Sequence, residues 1–192
     1  MTVSANTHPL RECARKLINA FASHAGEHLQ LCEAIKDATQ PLLERADLES
    51  LGVKRQGNFV TNSKFLYYDD GLEMTLNEMP PGKQFPAHDH GTCEALVIYA
   101  GKLAHTVYER LDNGSRQGQA ELKVIDDRVL ERGDISLMMP PIEIHSFKAL
   151  TPGTFVLTVV QGKIKTDRHF YRPEDGTYTI GTPQTAMERG SG

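Results

Sequence analysis

The sequence predicts a mainly β protein, a sandwich or jelly-roll barrel, with an α-helical segment in front of it. Three observations carry this. From about Phe59 onward, short runs rich in Val, Ile, Leu, Thr and Tyr alternate with turns of Gly, Pro, Asn and Asp, the texture of many short antiparallel strands. Before residue 55, apolar residues recur at three-and-four spacing, the period of an amphipathic helix. Between these textures' limits, His88-Asp89-His90, Glu94 and the distant His145 collect metal-ligating side chains on strand-like segments.

The helical segment is assigned to residues 1–55. Leu10, Cys13, Ala14, Leu17, Ile18 and Phe21 form one stripe, with Pro9 suited to the first turn. Gly26 interrupts it. Leu29, Cys32, Ile35 and Ala38 suggest a second helix, and Pro41 through Glu49 a third short one. Such stripes need a surface to cover, either the outside of the barrel or a partner in a homodimer. The barrel is assigned to residues 56–171, with strands at 64–68, 72–79, 94–100, 103–109, 121–125, 134–138, 146–150 and 154–161. Asp112-Asn113-Gly114 marks the turn of a long hairpin. The tail, residues 172–192, is rich in Gly, Pro, Thr and Glu and reads as loose or lying along a partner.

Side chains alternate along a strand, so His88 and His90 share a face and Asp89 points away. Two imidazoles on one face can grip one ion. Glu94 has the same parity on an unbroken strand; if Gly91 instead starts a turn, Glu94 opens the next strand and still reaches back. Imidazole suits iron, copper, zinc and nickel, and two His plus one carboxylate with open positions is a pattern for non-heme Fe(II); Fe(II) is the expected ion, with Mn, Ni, Zn and Cu as alternatives. The third imidazole is placed on a second strand pair: Gly133-Asp134 is a turn, Ile135 to Met139 an apolar run, Pro140-Pro141 a stop, and Ile144 to Phe147 an alternating run holding His145.

These residues resemble the cupin superfamily. Its first motif, G-x5-HxH-x3-E-x6-G, is matched at every position by Gly82, His88, His90, Glu94 and Gly101. Its second, G-x5-P-x-G-x2-H, is matched at Gly133, Pro140 and His145, with one extra residue before Pro140 and Ile142 in place of the glycine. The resemblance spans roughly residues 60–170 and implies a jelly-roll barrel. A narrower resemblance is to the cysteine dioxygenase-like thiol dioxygenases, through the helical N-terminal segment, His-Asp-His, the strand 101–108, the run 129–134 and His145. It implies three His (His88, His90 and His145) holding Fe(II), which binds a thiolate and O2. Glu94 stands where those enzymes usually have no metal-binding carboxylate, and Cys93 sits next to the position that carries a crosslinking cysteine in some of them. Their Ser-x-His-x-Tyr run is replaced by Leu157-Thr158-Val159-Val160-Gln161. No arginine stands where mammalian-type enzymes bind the substrate carboxylate, and Lys64 and Tyr67 are the nearest polar residues.

The functional expectation is a non-heme Fe(II) dioxygenase adding O2 to a small molecule, either a thiol other than free cysteine or a non-thiol substrate. Glu94 serves as fourth ligand or base, and Tyr67 and Gln161 shape the substrate pocket. Alternatives are a metal-dependent lyase, isomerase or decarboxylase that needs no O2, and a non-catalytic small-molecule binder. The net charge of −4 carries no basic block, so the electrostatic footprint of a nucleic-acid binder is missing. No apolar run approaches a bilayer span. The first residues lack the build of a secretory signal, and Cys13, Cys32 and Cys93 match no zinc or disulfide spacing, so a cytoplasmic location is expected. His24-Ala25-Gly26-Glu27-His28 fits H-x-x-E-H, but Gly26 weakens the helix that a protease site requires, and surface histidines are the reading preferred.

Overall fold

The computed structural model describes residues 8–56, 60, 62–183 and 185. The start of the chain and the end of the tail, including 186–192, lie outside the described residues. Two helices come first, α1 (Pro9–Ser23) and α2 (His28–Leu43), followed by a 3-10 turn at Leu48–Ser50. The strands are β1 (Val53–Lys54), β2 (Asn62–Tyr68), β3 (Leu72–Met79), β4 (Gln84–His88), β5 (Glu94–Ala100), β6 (Lys102–Arg110), β7 (Leu122–Glu131), β8 (Ile135–Met138), β9 (Ile144–Ala149), β10 (Thr154–Gln161), β11 (Arg168–Arg172) and β12 (Thr177–Gly181).

They pair antiparallel in two six-stranded sheets, β1-β2-β3-β10-β5-β8 and β12-β11-β4-β9-β6-β7. Met79, Leu96, Ile98 and Val156 of the first sheet and Phe85, Leu103, Leu130 and Phe147 of the second meet in one buried cluster. The result is a jelly-roll barrel, whose inner faces supply both the core and the site.

The helices explain why the first sheet reads as continuous apolar runs. Leu10, Cys13, Ala14 and Leu17 of α1 and Leu31, Ile35 and Leu42 of α2 pack on Met74, Ala95, Val97, Leu157 and Val159. Those strand residues face outward, so β5 and β10 are buried on both faces. Their alternates, Glu94, Leu96, Thr158 and Val160, face the interior. Full burial of an aliphatic side chain contributes about 1.5–3 kcal/mol, so a seam of a dozen such residues fixes the phase of these strands.

Several expectations need correction. Residues 41–49 do not make a third helix; α2 runs through Pro41 to Leu43. The stripe Leu31–Ile35–Ala38–Leu42 holds this last turn against the sheet, which outweighs the one hydrogen bond Pro41 forfeits. Leu29 is 76% exposed and Ile18 is 44% exposed, so neither belongs to the packed stripes. The strand placed at 121–125 extends to Glu131, as a largely exposed edge strand pairing β6 throughout. Strands β4, β11 and β12 complete the second sheet. The tail is therefore not wholly loose: Thr177–Gly181 pairs with Arg168–Arg172, and Tyr178 packs beside Tyr171 and Ala120. No helix among the described residues is long and apolar enough to cross a membrane.

Candidate metal centre

His88 ends β4 and stands directly opposite His145 on β9. This pairing depends on a bulge. Phe85 opposes Phe147 and His88 opposes His145, so β4 spends one more residue than β9 over that interval. Pro86, which has no N–H to give, sits inside it. Phe85 faces the barrel core, Ala87 faces the opposite side, and His88 turns inward again.

The strand ends at His88, so strand alternation alone does not place His90. The loop does. Glu143 accepts from the backbone N–H groups of His90 (3.0 Å) and Gly91, and His90 O accepts from Lys165 N at 3.0 Å. Gly91 has φ of 71°, a left-handed conformation that a side chain disfavours, and it turns the chain so that Glu94 opens β5. Gly101 plays the matching part at the other end of β5: a Cβ there would sit 2.6 Å from Thr154 Cα.

Three imidazoles and a carboxylate thereby converge. Ligand atoms of His88, His90 and His145 lie within 4.8 Å of one another. His90 Nε2 and His145 Nε2 are 3.0 Å apart, and Glu94 Oε2 is 3.1 Å from the first and 3.3 Å from the second. Two nitrogens at right angles, each about 2.1 Å from a shared ion, stand about 3 Å apart, so this spacing fits a common cation. Although near both nitrogens, Glu94 Oε2 is buried and has no hydrogen-bond partner among the described residues. All four residues are at least 94% buried.

Electrostatics agree with a ligand set. Burial holds the His88 and His90 imidazoles well below their ordinary range, and holds His145 down at about 3, so all three present neutral nitrogen. Burial also raises the Glu94 carboxyl to about 7. Buried neutral imidazoles beside a carboxyl are donors of the kind that a bound metal cation makes favourable. His88 Nδ1 donates to Pro86 O at 2.9 Å, which leaves Nε2 free to ligate. His145 Nδ1 meets His105 Nε2 at 2.9 Å, and His105 is fully buried. Asp89 points away from the centre and fastens the next segment: it accepts from Lys165 Nζ (2.6 Å), His169 Nδ1 (2.7 Å) and Tyr171 Oη (3.1 Å).

Beside the four residues lies a cavity of about 90 Å³. Val60, Met79, Leu96, Phe147, Val160 and Ile164 give it apolar walls, while Thr75, Asn77, Thr158, Glu73, Arg55 and Arg168 supply the polar ones. Tyr67 and Gln161, expected to shape the pocket, do not line it. Tyr67 pairs with Met74, an outward-facing residue, and its hydroxyl donates to Asp69. Gln161 follows inward-facing Val160 and so turns to the other side, beside α1. Lys64 bonds to Glu49 O and is also elsewhere. In the H-x-x-E-H stretch, His24 lies 3.5 Å from Glu27 and His28 bonds to Leu137 O, so no ligand set forms there. Cys13 and Cys93 are buried with thiols pushed up to about 12 by burial.

Sequence reasoning missed His105, Glu143 and Arg168. His105 alternates with Leu103 and Val107 on β6, a signal of an inward side chain. Arg168 falls beyond the last recognised strand and carried no signal.

No family model matches the chain, and no curated protein matches it. Among solved structures, the chain resembles KdgF from Halomonas sp. at 15% identity over 57% of this chain and 87% of that one, with a TM-score of 0.42. It resembles an RmlC-like cupin from Shewanella frigidimarina at 17% identity over 59% and 86%, TM-score 0.43. It also resembles the DMSP lyase DddQ from Ruegeria pomeroyi at 22% identity over 74% and 69%, TM-score 0.43. At these values the likenesses carry no argument about reaction or substrate.

Proposed function

We propose that the chain is a non-heme Fe(II)-dependent dioxygenase acting on a small molecule, a thiol other than free cysteine. The observation that carries this reading is the convergence of three neutral imidazoles with the Glu94 carboxylate at the wall of a small, largely apolar cavity. His88, His90 and His145 hold the ion, with Glu94 as fourth donor. A bound Fe(II) supplies open coordination positions for a chelating substrate and O2. The protein's own part is positioning and exclusion of water. Leu96, Phe147 and Val160 give the cavity part of its apolar wall. Asn77, fixed by Ser63 Oγ (2.6 Å), Thr75 Oγ1 (2.9 Å) and Thr158 Oγ1 (3.1 Å), stiffens the polar wall.

One observation favours a second reading, a metal-dependent lyase, isomerase or decarboxylase without O2. A carboxyl raised to about 7 beside the cavity is poised to exchange a proton near neutral pH. Oxygen-electrode uptake by iron-loaded protein across small thiols and β-dicarbonyls, with product mass read for added oxygen atoms, separates the two. The dioxygenase reading expects uptake and incorporation with at least one thiol. Turnover that is equal with and without O2 overturns it in favour of the second.

A further inference from the structure

The two sheets end on strands that do not pair with each other, β8 in the first and β7 in the second. Between them, bounded also by His28 and Cys32 at the start of α2, runs a groove of about 540 Å³. Val107, Ile125, Ile135, Leu137, Met139 and Ile142 give it apolar walls. Two local features build those walls. Val107 opposes Asp126 and Tyr108 opposes Val124, so Ile125 is an extra residue on β7. A bulge of this kind re-aims a side chain, and Ile125 lines the groove while 42% exposed. Beyond β8, Met139 N donates to Ile142 O at 2.9 Å. That bond closes a turn around Pro140 and Pro141, whose rings fix their φ, and holds Ile142 at the groove, 40% exposed.

The polar groups of the groove are matched among themselves. Asp126 pairs with Arg128 at 2.9 Å, Arg128 Nη2 also donates to Ile135 O at 3.0 Å, and His28 Nε2 donates to Leu137 O at 3.0 Å. Burial pushes the Cys32 thiol up, which keeps it uncharged. A charged ligand would lose water here without gaining a free counter-ion, whereas an apolar one would cover Ile125 and Ile142. We propose that the groove is a second ligand site, for a small uncharged molecule with an apolar ring system. Its volume of about 540 Å³ lies within the roughly 300–1,000 Å³ of small-molecule sites. An apolar hole of about 150 Å³ already holds benzene, so two fused rings fit. No residue lines both this groove and the cavity at the imidazoles, so the proposal stands apart from the metal-centre reading.

The test is calorimetric titration of the full chain with naphthalene carboxamide and with naphthalene carboxylate, a pair of like shape that differs in charge. The amide should bind one per chain and at least about tenfold more tightly than the acid, whose carboxylate loses water unmatched. Ile125→Asp should weaken amide binding at least about tenfold, because it puts a charge on the groove wall. Val129 lies between Arg128, in the groove, and Leu130, in the core, and so points to the other face of β7; Val129→Asp should leave amide affinity within about twofold of wild type. An amide that does not bind, an acid that binds as tightly, or amide affinity that survives in Ile125→Asp overturns the proposal. Should Ile125→Asp fail to fold, Ile125→Ala decides: a severalfold loss of amide affinity supports the proposal and no loss overturns it. Light scattering reads the other occupant of such a face: a wild-type dimer that Ile125→Asp splits assigns the groove to a second copy of this chain and overturns the small-molecule site. None of these readouts uses iron or O2, so their failure leaves the dioxygenase reading untouched.

Discussion

Glu94→Gln in metal-free protein should reveal how much strain the empty ligand set stores. The Glu94 carboxyl is raised from 4.5 to about 7 by burial. A folded-state value above the unfolded one means the fold prefers the protonated acid. Its contribution is present in full below pH 4.5 and is lost as pH rises through 7. The shift of about 2.5 units corresponds to about 3 kcal/mol. The buried imidazoles work in the opposite direction. His145, held down at about 3, stabilises the fold above its ordinary value of 6.5 and that contribution is lost as pH falls. Because the imidazoles are common to both proteins, they cancel in the difference between wild type and Glu94→Gln. Gln is a permanent stand-in for the neutral acid, so the variant should be more stable than the wild type by about 3 kcal/mol at pH 8 and by under about 1 kcal/mol at pH 5. Urea unfolding of chelator-treated protein at the two pH values reads this directly. Adding the divalent ion should reverse the order, since the wild-type carboxylate then has its cation. A stability gap that does not change between pH 5 and pH 8 would refute the reasoning, because it would mean Glu94 is already ionised or well solvated in the empty site.

Two further outcomes follow from the packing. His105→Gln should weaken metal binding about 10- to 100-fold, measured by chelator competition, because His105 Nε2 orients His145 through Nδ1; unchanged affinity would show that His145 needs no such support. Leu157→Ala, at a fully buried residue of β10 facing the helices, should cost about 2–5 kcal/mol in thermal or urea unfolding while leaving metal affinity within about twofold of wild type, and a large loss of metal affinity would contradict the placement of that residue outside the cavity.

The barrel was legible because its signals are local. Turn residues and short apolar runs gave strands within a residue or two at β3, β5, β6 and β10. His88, His90, Glu94 and His145 could be grouped by residue type and spacing, and the structure brings their side chains together. What the sequence hid depends on phase and on distant partners. Tyr67 and Gln161 are polar residues on the right strands but on the outward face, and which face is inward is decided by α1 and α2 packing on Met74 and Val159. Pro41 looked like a helix start, yet contacts made by Leu42 carry the helix past it. The short β11 gives little periodicity of its own, and Arg168 is meaningful only through the cavity it reaches.

The extra residue in β4 between Phe85 and His88 makes the phase of this strand a matter of counting. Side chains repeat every second position, so only the bulge lets Phe85 and His88, three residues apart, both face the interior; removing Ala87 would straighten the ladder and still leave the first imidazole inward, opposite His145. What the added residue decides is which side chain lies on the outer face between them: Ala87 fills the place against Ala120, Ile144 and Tyr171 that Pro86 would take in a straight ladder.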